Sequence, residues 1–230
     1  MLWKVFEAIT PKIVDIYRRI SAPPVPNLRG DRDIEYSWVA SNIPEGCGNA
    51  LDFGSGTSYM GLLAARKGFN VVAIDLARQE SAYTHPELHF IQGDIFELDL
   101  EKSSFDLIIN CSAIEHVGLA GRYGVTKTRV DGDIEVMTEL SKVLGKPNCT
   151  QILTIPVGRD RVFAPWHRVY GKERLPRLLN RWKQIKSEFW IKNSSNAWIM
   201  VDEKEALNRE PLEHCYGLGL FVLCNQGERN

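Results

Sequence analysis

The 230-residue sequence predicts an α/β, doubly wound fold. Its sheet has seven strands, mostly parallel, with an antiparallel C-terminal strand, and a helical cap precedes it. Three observations carry that prediction. From about residue 49 to residue 158, short apolar runs alternate with amphipathic stretches, the rhythm of βαβ units. Runs such as LIIN and ILTI are apolar without alternation, as strands covered on both faces are. A glycine-rich turn, LDFGSGTSYMG at 51–61, joins the first such run to the first helix, where open α/β sheets bind their ligands.

Each element follows from its own pattern. In residues 1–20, Trp3, Phe6, Ile9, Ile13, Ile16, Tyr17 and Ile20 recur at three- and four-residue steps, giving one apolar helical face that Pro11 bends or divides. The proline-rich SAPPVPNLRG connects it to a second helix over 34–43, and residues 1–45 are read as the cap on a domain of residues 46–230. Residues 50–53 read as the first strand. The first helix of the domain covers 58–67, with Ser58 as its cap and Gly68 as its stop. Further strands are read at 70–75, 88–92, 105–111 and 151–157, with a helix at 133–144 that GKPN ends. Beyond Gly171 come a helix at 172–180 and two strands, 197–201 and 218–224, read as a closing antiparallel hairpin.

Composition narrows the function classes. A formal net charge of −1 argues against a general nucleic-acid binder, which carries a basic excess. Five scattered cysteines without a CxxC pair fit neither a zinc site nor a disulfide framework, and point to a reducing, cytoplasmic setting. No run matches a membrane-spanning helix, although the first segment, flanked by Lys4, Lys12, Arg18 and Arg19, suits a peripheral membrane contact. Oligomeric state is not legible.

The chemistry is read first from the turn. Gly54 and Gly56 let the backbone bend and a ligand approach where a Cβ would collide, and the following helix offers free N–H groups. Asp75 ends the second strand 21 residues beyond Gly54, where a carboxylate accepts hydrogen bonds from ribose hydroxyls. That pair fits a nicotinamide dinucleotide or an adenosyl cofactor equally. Gly93-Asp94-Ile95 after the third strand favours the second.

Together, the D-x-G-x-G turn, the acidic end of strand two and the GD after strand three resemble the class I S-adenosylmethionine-dependent methyltransferases, whose sheet is Rossmann-like. The resemblance implies that Asp52, Gly54 and Gly56 cradle the amino-acid part of the donor. It implies that Asp75 binds ribose and Asp94 reads the adenine amino group, with Ile95 and Cys111 completing the cofactor side. Ser58 stands where many members carry a third glycine. A narrower resemblance rests on SAIEHVGLAGRYG at 112–124, DGD at 131–133 and IPVGRDRVFAPWHRVYGKERL at 155–175. These segments are similar to a methyltransferase-like group associated with polysaccharide and glycan biosynthesis.

On the acceptor side, His116 and His167 are the candidate general bases by residue type, either of which also reads as a structural histidine. Glu115 either orients a histidine or pairs with Arg122. Arg122, Arg159 and Arg161 read as clamps for an anionic group or as solvated charges, and Tyr123 and Trp166 as substrate-facing rings or packing. Asp131 and Asp133 suggest metal ligands, but Asp133 reads more simply as a helix N-cap, and no metal is expected. The function expected is methyl transfer to a hydroxyl of a sugar, glycan or related small molecule, releasing S-adenosylhomocysteine. Two rivals stay open: a nicotinamide-dependent oxidoreductase and a non-catalytic adapter.

Overall fold

The computed structural model describes residues 32–77 and 83–227. The predicted first helical segment and the proline-rich connector lie outside them. The helix read at 34–43 is present as α1 (Arg32–Asn42), and a sheet follows it, built from β1 (Gly48–Phe53), β2 (Phe69–Asp75), β3 (Leu88–Gln92), β4 (Phe105–Cys111), β5 (Gly145–Val157), β8 (Trp182–Lys192), β9 (Trp198–Val201) and β10 (Gly217–Asn225). The helices between them are α2 (Met60–Arg66), α3 (Gly132–Glu139), α4 (Arg174–Leu178) and α5 (Glu203–Asn208). A small second sheet pairs β6 (Arg161–Phe163) with β7 (His167–Val169).

The main sheet runs β3-β2-β1-β4-β5-β10-β8-β9. Strands β1 to β5 are parallel, and β10 enters antiparallel between β5 and β8. The sheet therefore has eight strands rather than seven. The expected 197–201/218–224 hairpin does not form, because β8 lies between β9 and β10 and pairs with both. Strand β8 escapes a hydropathy reading because residues 183–186 (KQIK) face solvent, and after Trp182 its buried residues resume only at Phe189.

Alternation along the strands divides the interior between two faces, the double winding expected. Leu51, Phe53, Ile108, Phe221 and Leu223 join one core with Val136, Met137 and Leu140, while Ala50, Leu107, Ile109, Leu218 and Leu220 join the other. Helices α1 and α2 cover the second face through Trp38, Val39, Met60 and Ala64. Each fully buried aliphatic side chain contributes roughly 1.5–3 kcal/mol of transfer free energy.

Several boundaries move for local reasons. Helix α2 begins at Met60 rather than Ser58, and no side chain caps it. After α3, a π-turn over Leu140–Leu144 passes directly into β5, so GKPN is an irregular strand start rather than a helix stop. Among the described residues no helix is long and apolar enough to cross a membrane.

Candidate active site

A cavity of about 590 Å³ opens over the carboxyl ends of β1, β2 and β4, within the range of roughly 300–1,000 Å³ typical of small-molecule sites. Its floor is the β1–α2 turn. Gly54 has φ +63°, and a Cβ there would come within 2.4 Å of the Ala113 Cβ, so its glycine lets two loops close on each other. Gly56, at φ +49°, differs: a Cβ there meets nothing nearer than the Gly54 carbonyl at 3.9 Å, although Gly56 lines the cavity. The turn is tied to the next strand, since Ser55 donates to the Ile74 carbonyl and Gly56 N–H donates to Asp75 Oδ2 at 2.9 Å.

Asp75 and Asp94 both line the cavity: the other Asp75 oxygen, Oδ1, accepts from Ala77 N–H, and Asp94 Oδ1 accepts from Phe96 N–H. Ile95 and Cys111 line it as well. Asp52 does not. It lies fully buried one layer below, where its Oδ2 accepts Gly61 N–H at 2.9 Å in the first turn of α2. Burial raises its pKa to about 7 against that hydrogen bond. A strand residue two before the glycine faces the core, so Asp52 holds the turn to the helix rather than touching the cavity.

The acceptor-side residues separate. His116, on a short 3₁₀ turn (Ile114–His116), and Tyr123 line the cavity, with their rings 4.5 Å apart. His116 Nδ1 lies 2.5 Å from the Trp166 carbonyl. A carbonyl only accepts, so Nδ1 carries the proton and Nε2 keeps its lone pair. Burial lowers the His116 pKa to about 4, with the cations Arg32 and Arg122 adding to the shift. His167 is buried on β7 between Phe163 and Tyr216, away from the cavity lining, and its Nε2 has no hydrogen-bond partner. Packing against two rings excludes it from the site that its residue type suggested.

Glu115 is also outside the lining. Its Oε1 stands 3.7 Å from His116 Nε2, too far for a hydrogen bond, and it does not pair with Arg122. Burial, with the Glu35 carboxylate adding, raises its pKa to about 8, so it is a neutral acid at pH 7 rather than an orienting anion. Arg159 is a surface residue paired with Glu210 at 3.1 Å, not a clamp, and Arg161 rests over Phe163. Trp166 is not in the lining; its carbonyl meets His116 and its ring lies 3.9 Å from the Arg122 guanidinium. Asp133 is no N-cap: it lies inside α3, fully buried, bonded to Arg174 and Tyr170.

Two contributors were not read from sequence. Arg32 and Tyr36 of α1 line the cavity, and Glu35 between them is buried. Its Oε1 accepts from Thr154 and Ser112 and its Oε2 from Arg32 at 2.6 Å. Helix α1 is thus pinned to the ends of β4 and β5. The only sequence signal is a glutamate on the apolar face that carries Trp38 and Val39.

The titrating groups predict a stability profile. Glu115 and Asp52 have folded pKa values above their ordinary ones, so each destabilises the fold progressively as pH rises, over 4.5 to about 8 and 3.8 to about 7. His116 and His167, both lowered to about 4, act oppositely between pH 4 and 6.5. Above pH 6.5 only the carboxyls remain. Stability is therefore expected to fall from pH 6.5 to 8, and Glu115→Gln to fall less over that interval. Parallel midpoint–pH curves for the two proteins would contradict the assignment.

The comparisons agree with this geometry. A probable S-adenosylmethionine-dependent methyltransferase of Mycobacterium tuberculosis is 29% identical over 181 residues, 69% of this chain and 61% of its own length. The chain spans only 32% to 61% of the length of the curated relatives it matches. The Burkholderia thailandensis 1,6-didemethyltoxoflavin-N1-methyltransferase, solved with S-adenosylhomocysteine, has a TM-score of 0.55 at 14% identity, covering 96% of this chain and 89% of that one. An S-adenosylmethionine-dependent methyltransferase from Archaeoglobus fulgidus has a TM-score of 0.58 at 16% identity, covering 85% and 96%. The [4+2]-cyclase SpnF is similar to the same degree, with a TM-score of 0.56 at 15% identity, covering 85% and 81%. The fold is thus that of the class I methyltransferases, a fold that also carries other chemistry. Residues 69–213, more than half of the chain, match the family described as Caenorhabditis protein of unknown function, DUF268, and the chain belongs to that family.

Proposed function

We propose that the protein is an S-adenosylmethionine-dependent methyltransferase acting on a hydroxyl of a sugar, glycan or related small molecule. One observation carries the reading: a single cavity at the carboxyl edge of the sheet gathers Gly54, Gly56, Asp75, Asp94 and Ile95. A second supports it over a nicotinamide enzyme. Strand β10 enters the sheet in reverse beside β5, whereas dinucleotide folds extend in parallel order. The donor's shape suits the site on the protein's own terms, since a side chain at Gly56 would occupy space that no protein atom fills.

The donor supplies a sulfonium methyl group, and the chain's residues supply its place and a path for the proton. Asp75 takes ribose hydroxyls with the lone pairs left by its two backbone contacts. Asp94 takes the adenine amino group, and Ile95 packs on the ring. In methyl transfer to a hydroxyl, His116 Nε2 would receive the proton that the hydroxyl gives up. His116 is suited to that role because the Trp166 carbonyl fixes its tautomer. Positioning supplies up to roughly 7–11 kcal/mol of the barrier reduction, and His116, with its pKa held near 4, supplies less than the roughly 10²–10⁴-fold of a base titrating near neutrality. Residues 1–45 act as the helical cap of this donor-binding domain, which the place of Arg32 and Tyr36 in the lining supports. Cytoplasmic residence belongs to the same proposal.

Thermal unfolding with S-adenosylhomocysteine, beside NAD at equal concentration, tests the donor. A ligand at about a hundred times its Kd stabilises by roughly 2.7 kcal/mol, expected to raise the midpoint by about 5–10 °C for a chain of this size. A rise with NAD alone would replace the reading with the oxidoreductase. In the same series His116→Gln is expected to keep the donor shift and lose turnover once an acceptor is in hand; unchanged turnover removes the base role.

A further inference from the structure

The cations around the cavity are nearly all neutralised by the protein itself. Arg32 bonds Glu35 at 2.6 Å, Lys127 meets Glu97 at 3.4 Å, and Arg129 meets Glu135 at 3.0 Å. Arg122, outside the lining itself but next to the cavity-lining Tyr123, differs, for among the described residues no carboxylate and no hydrogen-bond acceptor meets it. Its guanidinium carbon instead lies over two rings, 3.9 Å from the Trp166 centroid and 4.6 Å from that of Tyr123.

Stacking decides what remains available. A guanidinium is planar: rings occupy its faces, while its five N–H groups lie along the edge. The two ring contacts use the face of the guanidinium, and among the described residues no acceptor takes its N–H edge, which is left for a ligand. Such an edge matches phosphate or carboxylate in bidentate fashion. The local backbone serves the same arrangement: Tyr123 adopts φ +52° between Gly121 and Gly124, both also at positive φ, and stays exposed (51%) at the cavity wall.

The position relates the edge to the reacting groups. Tyr123 packs beside His116, and Trp166, whose ring stacks on Arg122, is the residue whose carbonyl orients His116. Arg122 also contributes to holding His116 neutral. We infer that the acceptor is anionic, and that the edge of Arg122 binds its phosphate or carboxylate group beside the His116 end of the cavity. This inference rests on the methyltransferase reading and narrows its acceptor class: a neutral sugar leaves a stacked, half-buried cation without an anion, and an acidic or phosphorylated sugar supplies one.

Isothermal titration of the full chain, with and without S-adenosylhomocysteine, tests this with three probes: glucose 1-phosphate, glucuronate and glucose. At least one anionic probe is expected to bind about tenfold or more tightly than glucose, and the two anions between them separate phosphate from carboxylate recognition. Arg122→Gln is expected to lose that preference, Arg122→Lys to recover part of it, and both to bind S-adenosylhomocysteine within about twofold of the original protein. Equal binding of all three sugars, or an anion preference that survives Arg122→Gln, overturns the inference. Failure of the donor reading shows separately, as no heat when S-adenosylhomocysteine is injected into the unsubstituted protein.

Discussion

Gly56→Leu is expected to give a folded protein that no longer binds S-adenosylhomocysteine. The two glycines of the β1–α2 turn have different duties. At Gly54 a Cβ would meet the Ala113 Cβ at 2.4 Å, and at Gly56 it would meet no atom within 3.8 Å. Both sit in the left-handed region, where a side chain costs about 1–2 kcal/mol. A leucine at Gly56 carries only that cost, because it extends into the cavity that Gly56 lines. The donor then competes with a side chain held over the Asp75 carboxylate that anchors the turn. Affinity should fall on the order of a hundredfold or more, equivalent to about 2.7 kcal/mol or more. Gly54→Ala should show the converse, with a larger loss of stability from a smaller side chain. Titration of S-adenosylhomocysteine into both, with their unfolding midpoints, separates the two duties. Unaltered affinity in Gly56→Leu would mean that the donor does not lie over this turn.

What could be read from the sequence was what short segments decide alone. The turn, Asp75 and Asp94 were legible because each is set by a strand end and the few residues after it. The parallel half of the sheet was legible for a similar reason, since FDLIINC and NVVAID carry continuous apolar runs. Pairings between distant segments were not. Arg159 looked like a ligand clamp until Glu210 was found beside it, 51 residues on. Glu35 carries no sequence signal of its own as a site residue, yet it accepts from Thr154, 119 residues away. His167 and His116 are alike in type, and only the placement of β6 and β7 makes one a cavity residue and the other packing. Strand β8 was hidden for another reason: half of it is polar and exposed, so its role depends on pairing with β10 rather than on its own hydropathy.

The acceptor loop gains its rigidity from a residue that sequence suggested as a metal ligand or cap. Asp133 is fully buried and holds Arg174 through bonds of 2.8 and 2.5 Å, the Tyr170 hydroxyl at 3.0 Å and, at 3.8 Å, Arg168. Arg168, only 2% exposed at its side chain, donates in turn to the carbonyls of Glu115, Val117, Arg129 and Val130. Those four carbonyls bracket the loop that carries His116, Arg122 and Tyr123. The charge of Asp133 is what allows two guanidinium groups to remain inside. Removing one partner of a buried pair strands the other charge and costs about 3–5 kcal/mol, whereas exposed pairs contribute about 0–1 kcal/mol.

Asp133→Ala is therefore expected to destabilise the protein by about 3–5 kcal/mol, a fall of roughly 10 °C in the unfolding midpoint. Asp131→Ala, two residues away and half-exposed, also loses contacts to Arg174 and to Arg177, and is expected to cost no more than about 1 kcal/mol. Where Asp133→Ala still folds, amide exchange across residues 115–130 should rise more than exchange in β1 or β4, since Arg168 loses the anion that keeps it beneath the loop. Similar costs for the two substitutions would mean that Arg168 and Arg174 find water or another partner on losing Asp133. The buried carboxylate would then not be what fixes the acceptor side of the site.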